Sequence, residues 1–172
     1  TIQSDSHAEN SDPLENQWSI LILKLGSIYR AGAAGGAVAG SGTGAQIEGL
    51  GDYGIAVGVI RQVIDDCRDI RVDTLGKTRK TTLPLLLYKL VSDQLLKQEE
   101  ISGQAFGFSP FQASEETSKL LTDAGIPEII ADILLEWRRR AVESLQVLEP
   151  SLAKNILVDI IGHILSPQLP VS

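Results

Sequence analysis

No methionine occurs in the 172 residues, only one cysteine and two histidines are present, and aromatic side chains make up 5%. Without Met there is no initiator residue, so the expectation is a fragment of a longer polypeptide. A lone Cys67 rules out an internal disulfide and fits a reducing cytosol. Basic residues are in the minority, 15 Lys and Arg against 22 Asp and Glu, for a net charge of −7. That balance argues against nucleic acid as a partner, because phosphate-backbone binding needs a basic surface. Long hydrophobic runs are missing too. The longest uncharged stretch, Ala31 to Ile47, is mostly Gly, Ala, Ser and Thr, and is short and weakly apolar for a transmembrane segment. No signal-peptide pattern is visible. These absences together predict a soluble, cytoplasmic chain. Neither strand alternation nor an internal repeat is found, which points to an all-α fold.

What is present is ordinary for a globular chain, 43% hydrophobic and 22% charged, at a length that permits one domain with a real core. Residues 1–13 are polar and read as a disordered lead-in or a cut loop, and 14–172 as one helical unit. Leu14 to Val38 reads as a helix with Trp18, Leu21, Ile22, Leu25 and Ile28 along one side. Gly32, Gly36 and Gly40 recur every fourth residue and read as a close-packing device or a break before the next helix. A Gly-rich turn is expected over Gly40 to Gly44. Further on, Thr81 to Leu96 reads as a helix with Thr81 or Thr82 as N-cap and Pro84 in its first turn. Ser102 to Phe111 reads as a loop. Ser114 starts a short helix ended by Gly125. Pro127 opens a helix to about Leu148 that buries Ile130, Ile133, Leu134, Trp137, Ala141 and Leu145. Its Arg138, Arg139 and Arg140 form a solvated face with acidic partners. Pro150 precedes a last helix, Ser151 to Leu165, with His163 as a cation near its end.

The chemistry concentrates between Glu48 and Pro84. No Pro interrupts Ile47 to Ile70, and Ile47, Leu50, Ile55, Val59 and Val63 trace one helical stripe. Gln62, Asp65, Asp66 and Asp69 follow at spacings that let them share a helix face. Clustered carboxylates repel, so such a face is either solvated or holds a cation. Beyond a loop expected over Asp65 to Lys80 comes the cationic run Lys77, Thr78, Arg79, Lys80. Mg²⁺ takes hard oxygen ligands and commonly completes its sphere with phosphate, while nearby Lys supplies counter-charge. Acid cluster, loop and basic cluster therefore point to a magnesium–diphosphate site.

The order Tyr53-Gly54, Gly58, Gln62, Asp65-Asp66-Cys67-Arg68-Asp69, then Lys80-Thr81-Thr82-Leu83-Pro84 resembles the trans-isoprenyl diphosphate synthases, or polyprenyl synthetases. Their second aspartate-rich motif runs YGxxLGxxxQxxDDxxD and is followed by GKxTLP. Lys24-Leu25-Gly26-Ser27-Ile28-Tyr29-Arg30-Ala31 is similar to their KTGxLFxxA segment. The likeness extends from about Trp18 to Leu165 and covers the C-terminal half of that family. Its first aspartate-rich motif has no counterpart here. Leu25, Arg61 and Arg79 stand where the family commonly has Thr, Phe and Gly, and the loop after the acids is shorter.

The resemblance implies half of an isoprenoid-synthase-type helical bundle around a central cavity. The other half, or a partner chain, would cover its apolar faces, and a homodimer is expected. It implies a prenyltransferase that ionises an allylic diphosphate with Mg²⁺ and condenses it with isopentenyl diphosphate, the fragment being inactive without its other half. Asp65, Asp66 and Asp69 would bind metal, and Lys24, Gln62 and Lys80 the substrate diphosphate. Asp65, Asp66 and Lys80 carry the catalytic assignment. Alternatives are a class I terpene cyclase, a prenyltransferase acting on a peptide or other acceptor, or a non-catalytic subunit of a heteromeric synthase.

Overall fold

The computed structural model describes residues 13–71, 82–98 and 114–166, and every regular element among them is helical. In order these are α1 (Pro13–Leu21), a π turn (Ile22–Gly26), α2 (Ser27–Ala39), α3 (Gly44–Arg71), α4 (Leu83–Gln98), α5 (Ser114–Asp123), α6 (Ile126–Ser144), a 3₁₀ turn (Leu145–Val147) and α7 (Leu152–Leu165). The all-α expectation is borne out. The lead-in expected over residues 1–13 lies outside the described residues except for Pro13, which opens α1. The loop expected over Ser102 to Phe111 also lies outside them.

α3 is the axis of the assembly. Its 28 residues span about 42 Å at 1.5 Å per residue, and it packs against α2, the π turn, α4, α5, α6 and the 3₁₀ turn. Val59 and Val63, from the stripe read in the sequence, are fully buried, while Ile47, Leu50 and Ile55 are half-buried. Tyr53, Ala56, Val57, Ile60 and Ile64 are buried as well. Apolar burial therefore runs round the helix rather than along one stripe, as expected of an element with neighbours on several sides. The helix also continues to Arg71. The first seven residues of the loop expected from Asp65 are therefore helical, and Asp65, Asp66 and Asp69 all lie on regular helix.

Close approach is made by glycines of α3, not by those of α2. A Cβ on Gly54 would lie 2.4 Å from Tyr29 O, and one on Gly58 would lie 2.8 Å from Leu25 O. These contacts run antiparallel along the two segments. Gly49 meets the end of α6 in the same way, 2.6 Å from Ser144 O. By contrast, among the described residues a Cβ on Gly32 or Gly36 would meet nothing within 4 Å, and one on Gly40 would meet carbonyls of its own chain segment. The packing role expected for the Gly32–Gly36–Gly40 series is corrected accordingly. The break that follows is real: Gly42 N donates to Ala37 O at 2.8 Å, and Ser41 turns through φ 58°. Thr43 and Gln46 then cap α3 reciprocally, Thr43 N donating to Gln46 Oε1 and Gln46 N to Thr43 Oγ1.

α6 starts from Gly125, whose φ of 70° suits a residue without Cβ, and buries Ile126, Ile130, Leu134 and Ala141. Ile133 and Trp137 are half-buried, with the Trp137 ring 6.3 Å from that of Trp18. The helix tightens at Leu145 into the 3₁₀ turn, short of the expected end at Leu148. The arginines behave as a solvated face. Arg139 pairs with Glu136 and Glu143, and Arg140 pairs with Glu136 while lying over the Trp137 ring at 4.8 Å. Those two guanidiniums hold the Glu136 carboxyl down at about 2. Ser151 caps α7 by accepting Lys154 N, His163 is exposed near its end, and Tyr53 Oη donates to Leu157 O at 2.8 Å, tying α7 to α3.

Among the described residues, large apolar side chains are exposed in two stripes. Leu152, Ile156 and Ile160 stand one turn apart on α7, and Ile20, Leu23 and Ile28 stand on the α1–α2 arm.

Candidate diphosphate and metal site

The four residues expected to present together on α3 divide into an outer and an inner pair. Asp65 is half-exposed and reaches Arg68 at 3.7 Å, a long, solvated ion pair of little energetic weight. Asp69, one turn further on, is exposed. Gln62 and Asp66 instead face inward, 7% and 3% exposed. Gln62 Nε2 donates to Asp66 Oδ1 at 2.7 Å, and the backbone N–H of Leu83 donates to Asp66 Oδ2 at 3.0 Å. A buried carboxylate is costly unless hydrogen-bonded, and this one has a donor on each oxygen. The shared presentation of all four residues is therefore corrected. Positions 62 and 66 turn toward α4, while 65 and 69 stay accessible.

The Leu83 contact also decides how α4 begins. The first N–H groups of a helix have no intrahelical acceptor, and an N-cap side chain ordinarily takes one. Thr82 was the expected cap within the described residues, yet its hydroxyl is buried without a hydrogen-bond partner, although its carbonyl accepts Leu86 N. Asp66, 17 residues earlier, performs that service from another helix. Nothing local in the sequence marks such a long-range cap. Thr81, Lys80 and the rest of the basic run lie outside the described residues.

Lys24 is exposed and sits in the π turn. Single π turns within helices widen the local ladder and recur at functional sites. The turn lies where the arm crosses α3, with Leu25 O and Gly26 against Gly58. Gly58 is seven residues from Asp65, about 10 Å along the helix axis, so the backbone of the π turn that carries Lys24 crosses α3 about three turns or less before the acids. Beyond the crossing, an open apolar groove of about 330 Å³ is bounded by Ile28, Tyr29, Gly32, Ala33, Gly54 and Val57, among others. A residue that the sequence reading passed over, Arg30, locks the far end. It pairs with Glu48 at 2.6 Å and Asp52 at 2.7 Å, and both contacts raise its already high pKa.

Among the described residues no group of three or more His, Cys, Asp or Glu side chains is assembled to hold an ion. Asp65 and Asp69 nevertheless offer carboxylate oxygens one turn apart. That is a fitting set for Mg²⁺, which commonly takes one or two carboxylates and completes its sphere with water and phosphate.

Fold and site thus describe an all-α protein with an acidic pair on a long central helix, a lysine at a glycine crossing, and an apolar groove beyond it. Comparison with known proteins shows what the chain is similar to. The chain is 27% identical over 165 residues to a short chain isoprenyl diphosphate synthase of Methanothermobacter thermautotrophicus, covering 91% of this chain and 51% of the relative. It is 26% identical to the geranylgeranyl diphosphate synthase of Methanosarcina mazei, covering 88% of this chain and 48% of the relative. Geranylgeranyl pyrophosphate synthase 3 of Arabidopsis thaliana is 33% identical over 114 residues, 59% of this chain and 31% of that protein. In three dimensions the chain matches the crystal structure of a decaprenyl diphosphate synthase from Rhodobacter capsulatus with a TM-score of 0.71 at 22% identity. That match covers 89% of this chain and 49% of the other. No family model matches the sequence. The resemblance read from the motifs is borne out by these relatives, and the fold is that of the helical isoprenyl diphosphate synthases. The chain spans about half the length of the first two relatives.

None of the helices searched among the described residues is long and apolar enough to cross a membrane.

Proposed function

We propose that this chain supplies the second metal-binding half of a prenyltransferase that ionises an allylic diphosphate and extends it with isopentenyl diphosphate. The observation that carries the reading is the placement of Asp65 and Asp69 on the accessible end of a buried helix, close to a lysine-bearing π turn. Similarity to relatives named as isoprenyl diphosphate and geranylgeranyl diphosphate synthases supports it. Asp65 and Asp69 would hold Mg²⁺, which when bound would supply charge neutralisation for a departing diphosphate. Lys24 and Lys80 would bind the diphosphate oxygens as point charges. The apolar groove alongside Gly54 suits a hydrocarbon tail and has few polar groups to trap a carbocation. Gln62, expected at the diphosphate, is turned to Asp66 in this structure, which favours a supporting role.

The uncovered stripes on α7 and on the α1–α2 arm are surfaces for further helices of the same enzyme or for a second copy in a homodimer. A cytoplasmic location fits the single cysteine, which suits a reducing compartment.

The test is incubation of the complete protein with Mg²⁺, allylic diphosphates and isopentenyl diphosphate. A longer isoprenyl diphosphate supports the proposal. A cyclic hydrocarbon would make the protein a cyclase, transfer to a peptide or another acceptor would redirect the substrate class, and turnover only with an added subunit would make it one member of a pair.

A further inference from the structure

The middle acid of the DDxxD run is built into the scaffold differently from its neighbours. Asp65 and Asp69 are accessible, whereas Asp66 is 3% exposed and has one oxygen on Gln62 Nε2 and the other on Leu83 N. Its second contact spans 17 residues and joins the end of α3 to the first turn of α4. Leu83 itself is wholly buried, so no water can replace the carboxylate as acceptor for its N–H. The adjoining Thr82 hydroxyl is buried without a hydrogen-bond partner, so among the described residues Asp66 is the side chain that caps this turn.

We infer that Asp66 is a positioning residue and not a metal ligand: with Gln62 it forms a buried strut that caps α4 and fixes that helix against the acid-bearing turn of α3. Two properties make the strut stiff. Gln62 and Asp66 are one turn apart on the same helix, so their hydrogen bond holds the carboxylate in one rotamer. Charge-assisted bonds to a backbone N–H are also among the stronger ones. Turning Asp66 outward to reach an ion would strand both the Leu83 N–H and the Gln62 amide in the interior, at the full desolvation cost of each. Asp65 is half-exposed and Asp69 exposed, so either can meet an ion without leaving the interior. The metal part of this inference rests on the proposed function; the capping part stands without it.

Two variants of the complete protein separate the roles. Asp66→Leu removes the acceptor. The double variant Gln62→Glu with Asp66→Asn reverses donor and acceptor at equal net charge, so the residue-66 amide donates to the new carboxylate while its oxygen still accepts Leu83 N. Amide hydrogen exchange at Leu83, read without metal, should accelerate about ten- to a hundredfold in Asp66→Leu and return to within about threefold of wild type in the double variant. Affinity for Mg²⁺ with inorganic pyrophosphate, read by calorimetry, should fall in Asp66→Leu and recover in the double variant, which has no carboxylate at position 66. Unchanged Leu83 exchange in Asp66→Leu would overturn the strut. Restored exchange with affinity still lost in the double variant would make Asp66 a ligand and overturn the inference. Wild-type protein that binds no Mg²⁺ with pyrophosphate would instead remove the proposed function, while Leu83 exchange would still decide the capping role.

Discussion

Adding one methyl group to Gly54 should loosen the packing of α2 on α3, and the structure gives the scale. The new Cβ would stand 2.4 Å from Tyr29 O, 2.7 Å from Tyr29 C and 2.8 Å from Arg30 N, all backbone atoms. Ordinary contact begins near 3.4 Å, so α2 would have to retreat by about 1 Å. That retreat opens gaps beside Ile55 and Gly58, where the same two segments touch. Overpacking of this kind costs roughly 1–3 kcal/mol, against which alanine returns about 1 kcal/mol of helix propensity. The net expectation for Gly54→Ala is a loss of up to about 2 kcal/mol. Gly32→Ala is the matched control, because its Cβ would meet nothing within 4 Å and only the propensity gain applies, up to about 1 kcal/mol. The propensity gain is common to both, so the two variants should differ by the overpacking cost, about 1–3 kcal/mol, or roughly 2–12 °C in midpoint for a chain of this size. Urea and thermal denaturation followed by circular dichroism would read both. Equal midpoints for the two variants would refute the assignment of close approach to Gly54.

Thr82→Val should raise stability by about 1 kcal/mol, because the buried hydroxyl it removes has no partner; a lowered melting temperature would show that the hydroxyl is satisfied. Tyr53→Phe should cost about 1 kcal/mol through loss of the bond to Leu157 O, with faster amide exchange confined to α7. Burial raises the Tyr53 pKa, so the unfolded chain loses that proton first; wild type should lose stability above about pH 10 by a component absent from Tyr53→Phe. The Glu136 pKa is lowered from 4.5 to about 2 by Arg139 and Arg140, so its contribution is present above pH 4.5 and disappears as pH falls toward 2. Because this cluster is exposed, Glu136→Gln should change acid unfolding only slightly, and the difference should vanish in high salt.

Much of this architecture was legible because the signals were local. Proline and glycine punctuation located the breaks at Gly40–Thr43, Gly125 and Pro150, and apolar spacing identified α3 and α6. The spacing of Gln62, Asp65, Asp66 and Asp69 drew attention to the functional end of α3. What escaped was set by contacts distant in sequence. Periodicity places Asp65 and Asp66 100° apart on a helix, yet it cannot say that the second faces α4 and accepts the Leu83 N–H. The glycines were misassigned for a similar reason. Gly32, Gly36 and Gly40 have a regular interval, but close approach depends on which helix lies opposite, and glycines of α3 cross α2 at Tyr29 and the π turn at Leu25. The π turn at Ile22–Gly26 leaves no compositional trace, because its residues are as helix-compatible as those around it.

The most direct measurement is a crystal structure of the complete protein with Mg²⁺ and a bisphosphonate, a stable mimic of the leaving diphosphate. The account predicts an ion bridging carboxylate oxygens of Asp65 and Asp69 to the phosphonates, with Asp66 still bonded to Gln62 and Leu83 N. An ion coordinated by Asp66, or Asp65 and Asp69 left facing solvent with the bisphosphonate bound elsewhere, would contradict it.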